Sequence, residues 1–137
     1  AAVLRVKLRH LEAWNLRRRE IAAAYTAGLE ATFATPPVEK PGCEHVYHQY
    51  TLRAPDRDAL QKHMQASGVG AVIYYPVCLH MQKAFSHHGL STGSLPVSEK
   101  AQAEILSLPM FPELTGPQIE TVLGAIKSFS PAPAPVG

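Results

Sequence analysis

Cysteine is scarce in this chain. Among 137 residues only Cys43 and Cys78 carry a thiol. Two are too few for a disulfide framework, so a reducing compartment, the cytoplasm, is the expectation. Long hydrophobic runs are missing as well. No apolar stretch approaches the roughly 20 residues that a membrane span needs, and no signal peptide is visible. Neither sign of charge dominates: 13 basic against 11 acidic residues leave a net charge of +2. Whole-molecule electrostatics therefore select no partner, and nucleic acid is not expected as one. With 46% apolar and 18% charged residues, the composition is that of one globular domain with a core rather than a disordered chain.

The opening residues also lack something. AAVLRVKLRHLEAW has no initiator Met and no Ser, Thr, Asp or Asn to cap a helix. Yet Leu4, Leu8, Leu11, Trp14, Ile21, Tyr25 and Leu29 already fall on helical spacing. The expectation is a helix entered partway through, in a chain that is the C-terminal piece of something longer.

Beyond Gly28, prolines and a glycine fix residues 34–42 as a loop. EHVYHQYTLR, residues 44–53, reads as a strand, with Val46, His48, Tyr50 and Leu52 on one face. A helix follows, with Asp56 as its cap and Gly68 to close it. Residues 69–75 read as a second strand, and 76–96 as a long irregular segment of the kind that often carries function. A short helix over 98–106 takes Ser98 as its cap, and SLPMFPEL is extended. The last helix starts at Thr115 with Gln118 in a capping box. Its stripe is Ile119, Val122, Leu123, Ile126 and Phe129. Residues 131–137 form a Pro/Ala-rich tail, expected to be mobile. The order predicts an α+β domain: a long helix and a small, mainly antiparallel sheet covered by helices.

Several side-chain groupings invite chemistry. Cys43, His45, His48, Cys78, His80, His87 and His88 suggest zinc, but the paired spacings of metal sites are missing, so no metal is expected. Arg17, Arg18 and Arg19 suggest nucleic acid, but the basic residues flank the helix's apolar stripe instead of forming one face. Cys78 with His80 two residues away could act as a nucleophile, although a cysteine among apolar neighbours is more often inert. AVIYYPVCLHMQ, residues 71–82, is harder to dismiss. Tyr74 and Tyr75 end a strand just before Pro76, where site residues are common. The residues alone leave a site and a plain core-plus-surface pair equally open.

HVYHQYTLR, RDALQKHMQASGV, YYPVCLHMQKAF and LPVSEKAQAEILSLPMFPELTGPQIETVLGAIKSF together resemble the C-terminal part of the sugar aminotransferases of the DegT/DnrJ/EryC1/StrS family. EILSLPMFPELT is the most specific stretch. The chain departs from the family pattern at Cys78, usually Pro, and at Tyr74, often His. The resemblance implies the small domain of a fold-type-I pyridoxal phosphate enzyme. Residues 1–31 would connect to a large cofactor domain outside this chain, and 32–130 would form the small domain. The parent would be a homodimer that moves an amino group, usually from glutamate, to a nucleotide-linked keto-sugar in polysaccharide or antibiotic sugar biosynthesis.

None of Lys7, Lys40, Lys62, Lys83, Lys100 and Lys127 lies in a segment like the family's Schiff-base motif. The chain alone is therefore expected to be inactive, with no catalytic lysine of its own. Tyr74, Tyr75, His80 and Arg53 are the candidates for lining the substrate and cofactor pocket. The alternative is a free-standing, non-catalytic binding or regulatory module. In either case Leu4, Leu8, Leu11 and Trp14 would form an uncovered apolar face.

Overall fold

The computed structural model describes residues 1–131. Almost all of the Pro/Ala-rich tail lies outside them. The leading helix comes in two pieces, α1 (Ala2–Leu8) and α2 (Leu11–Leu29). The predicted stripe divides with them. Ile21, Tyr25 and Leu29 enter the core, whereas Leu4, Leu8 and Leu11 stay exposed and α1 buries nothing. The interruption at Arg9 and His10 thus falls in the stretch where the stripe has nothing to pack against.

The sheet has two antiparallel strands, β1 (Tyr50–Arg53) and β2 (Ile105–Leu108), in the register Tyr50 to Leu108 and Leu52 to Leu106. Those four side chains are buried. Single bridges extend the ribbon on both sides, Thr35 against Arg53 and Val72 against Ser107. Both predicted strands are therefore shorter than expected. Over residues 44–49, side chains have taken the backbone groups a ladder would use. Glu39 accepts the His45 N–H at 2.7 Å, Arg19 donates to the His45 carbonyl at 2.8 Å, and His45 Nδ1 accepts the Tyr47 N–H at 2.8 Å. Tyr47 itself sits at φ 49°, off the strand path. Residues 69–75 keep only the bridge at Val72.

The helices α3 (Arg57–Ala66) and α5 (Gly116–Lys127) follow their sequence signals. Gly68 takes φ 76°, and the Val69 and Gly68 amides return to Met64 and Gln65, the double bond of a Schellman ending. Gln118 closes the capping box by accepting the Thr115 N–H at 2.9 Å. By contrast α4 (Pro96–Glu104) starts two residues earlier than expected and turns directly into β2. Pro96 opens it, where a missing N–H costs nothing.

Helix α5 packs against α2 and α3, α3 packs against β2, and together they enclose the core. Tyr25 and Tyr50 meet at 5.2 Å between ring centres. Their hydroxyls reach the Pro109 carbonyl at 2.9 Å and Thr26 at 2.8 Å. Burial pushes both phenols' pKa values up. Gly28 permits the close contact of α2 with α5: a β-carbon there would collide with a Leu123 methyl. Between Ala71 and Leu106, however, the chain buries a single residue, His80.

Candidate functional site

A cleft of about 530 Å³ opens between the 75–82 segment and α4. Tyr75, Val77, Cys78, Leu79 and Gln82 form one wall, and Ser98, Ala101, Gln102 and Ile105 the other. The walls are tied by Gln102, which accepts the Cys78 backbone N–H. Two of the sequence candidates stand at its edge. Tyr75 lines the cleft and is 75% exposed, while Tyr74 lies beside it, ring centres 5.9 Å apart, edge to face.

His80 is not presented outward. It is 8% exposed, and its Nε2 lies 3.0 Å from Glu99 Oε1. Arg53, at the end of β1, is held by Glu104 at 2.8 Å, and Lys100 lies 3.9 Å from the same carboxylate. The structure thus gathers Tyr74, Tyr75 and His80 on one segment, and fastens Arg53 to the last turn of α4.

The sequence reading missed the side chains that hold this arrangement. Glu99 accepts the Gly93 amide at 2.8 and 3.0 Å and the Leu95 amide at 3.1 Å, besides contacting His80. The Gly93 N–H, then that of Leu95, holds its carboxyl below the usual carboxylate range; burial opposes this, and His80 adds to it. An acid in the first turn of a helix was the available signal.

The other groupings resolve plainly. Arg17 bonds Glu20 at 2.8 Å and the Leu114 carbonyl at 2.9 Å, Arg18 bonds Asn15 at 3.2 Å, and Arg19 fastens the 39–45 loop. The basic run is engaged within the fold. Among the described residues, no three His, Cys, Asp or Glu side chains gather as metal ligands. Cys78 half-lines the cleft, but His80 is turned to Glu99. Among the described residues no helix is long and apolar enough to cross a membrane.

The fit to pyridoxal phosphate can be tested on the lysines. A Schiff-base lysine sits in a desolvated pocket, and Lys7, Lys40, Lys62, Lys83, Lys100 and Lys127 are all exposed. The residues present do not fit covalent anchoring of that cofactor.

Comparison with known proteins gives the chain its relatives. It is 46% identical over 132 residues to a "Pleiotropic regulatory protein" of Geobacillus stearothermophilus, covering 94% of this chain and 36% of that one. It is 38% identical over 131 residues to the dTDP-3-amino-3,4,6-trideoxy-alpha-D-glucose transaminase of Streptomyces venezuelae, covering 95% and 35%. The crystal structure of S. venezuelae DesV in complex with a ketimine intermediate superposes with a TM-score of 0.89 at 38% identity, over 92% of this chain and 34% of that one. The chain thus spans about a third of the length of the relatives it matches. Its α+β fold is that of a segment of these aminotransferases. Residues 1–127 match the profile of the DegT/DnrJ/EryC1/StrS aminotransferase family, and the chain belongs to that family.

Proposed function

We propose that this chain is the small domain of a longer pyridoxal phosphate-dependent aminotransferase, with residues 1–31 as the connecting helical arm and 32–130 as the domain proper. The whole protein moves an amino group, from glutamate, to a keto-sugar carried on a nucleotide, and works as a cytoplasmic homodimer. The observation that carries this reading is the family match over residues 1–127. The named activity of the S. venezuelae transaminase supports the substrate class. The cofactor supplies the electron sink for amino transfer. Its lysine is assigned outside this chain, in keeping with the exposure of all six lysines here.

This chain's own contribution is a wall. Tyr75 presents its phenol at the cleft edge, with Tyr74 stacked edge-on beside it. Such hydroxyls can bond a phosphate or sugar oxygen. His80, held by Glu99, backs the segment, and Arg53, paired with Glu104 at the end of β1, is the cation that an anionic substrate group would have to share.

The test is formation of 2-oxoglutarate from glutamate with a dTDP- or UDP-linked keto-sugar. A protein of full family length turns over and residues 1–137 alone do not. Alanine at Tyr75 or at His80 lowers kcat/KM about tenfold or more. Turnover by the isolated chain sinks the split reading, and unchanged kcat/KM in both variants sinks the wall.

A second reading is a regulatory module. The name of the Geobacillus stearothermophilus relative favours it, as do the exposed apolar side chains of Val3, Leu4, Val6 and Leu8. A full-length protein without transaminase activity would bring it forward.

A further inference from the structure

A buried polar side chain persists only with a partner. His80 is the single buried residue between Ala71 and Leu106, and its partner is Glu99. That carboxylate also accepts the amides of Gly93 and Leu95. Three points spread along the 76–95 segment converge on one side chain. Apolar packing does not substitute for it, because Val77, Leu79, Met81, Leu90 and Leu95 are all exposed. Hydrogen bonds to a charged acceptor are roughly twice as strong as neutral ones.

We propose that Glu99 is a positioning residue, a one-carboxylate clasp that fixes the 76–95 segment and with it the cleft wall bearing Tyr75 and Cys78. For its functional meaning the proposal rests on the wall reading above. The clasp itself is tested without any turnover, so the two can fail separately. Among the described residues the titratable group in contact with Glu99 is His80. On the adjoining turn and strand, Lys100 and Arg53 are paired with Glu104 instead.

The experiment is amide hydrogen exchange by NMR on the whole chain, comparing the wild type with Glu99→Gln and Glu104→Gln. The informative amides are Met81, Gln82, Phe85 and Gly89, which bond within the segment and do not touch Glu99. In Glu99→Gln they exchange about tenfold faster or more, the His80 ring ¹⁵N resonances shift, and Leu52 and Leu106 stay protected. Glu104→Gln leaves the segment unchanged. Acceleration confined to Gly93 and Leu95 overturns the proposal, because Glu99 is then only a local cap. Equal acceleration at Leu52 and Leu106 overturns it too, because Glu99 then supports the whole fold.

The wild type gives a check that needs no variant. After correction for intrinsic exchange, the same amides lose protection as pH falls through the lowered Glu99 range, while Leu106 keeps its own. Loss at Leu106 over the same pH range overturns the clasp.

Discussion

Residues 11–71 and residues 72–105 are built by different means. The first stretch places Ile21, Tyr25, Leu29, Tyr50, Leu52, Leu60 and Met64 in the core, each at 1% exposure or less. The second buries only His80 and leaves Tyr75, Leu79 and Val97 open. Apolar burial is non-directional and grows with area. A polar clasp is directional and depends on charge. The first stretch, together with β2 and α5, therefore sets whether the chain folds. The second sets a conformation that solution conditions can change while the fold persists.

The sharpest way to break this contrast is in the core. Leu106→Ala removes a fully buried side chain facing Leu52 and is expected to cost about 2–5 kcal/mol of global stability, read by urea unfolding. A loss below about 1 kcal/mol would mean that the ribbon is not the centre of the core.

Gly28→Ala comes next. Its methyl meets Leu123, whose displacement costs about 1–3 kcal/mol, and the better helix former returns about 0.5–1 kcal/mol. A net loss of about 1 kcal/mol is expected, and Leu123→Ala in the same chain should relieve the clash term.

Acid separates the polar ties from the apolar core without mutation. Glu39 is held below the usual carboxylate range chiefly by the His45 N–H and then by Arg19, and Glu99 chiefly by the Gly93 N–H. A carboxylate with a lowered folded pKa stabilises above its unfolded value and loses that contribution as pH falls through the folded one. The 36–49 loop and the 76–95 segment should loosen together on acidification, ahead of the cooperative unfolding seen by circular dichroism. Loosening of the loop and the segment only at the pH of the cooperative unfolding would erase the distinction.

The smallest effect is expected at Tyr75→Ala. Its side chain is largely exposed, so stability should change by less than about 0.5 kcal/mol. A larger loss would make Tyr75 a structural residue and weaken its assignment to the cleft wall.

Much of the first stretch and of the last helix was legible in the sequence. The second half of the leading helix, Gly68 as a stop and the Thr115–Gln118 box were all readable because each is a local signal with a local cause. The predicted strand over 44–53 failed in its first half because Arg19, distant in sequence, and Glu39, in the preceding loop, captured its backbone groups. No pattern of alternation records that. Ile105 and Leu106 were assigned to a helix but start β2, since a short apolar run suits either state.

At the cleft, the clustering of Tyr74, Tyr75 and His80 pointed to the segment that forms one wall. That His80 turns inward was not readable, because its partner Glu99 lies on another element. Arg53 looked available from its place on a strand, and Glu104 engages it for the same reason.

The bridges at Thr35 and Val72 have a consequence for how this protein behaves when concentrated. They lay a crossing of the chain along each flank of a four-residue ribbon. Strand-to-strand stacking between molecules needs a long, open flank, and this ribbon offers a short one on either side. Self-association, if it is driven up by concentration, should therefore begin at the uncovered leucines and valines of α1 and leave the sheet intact.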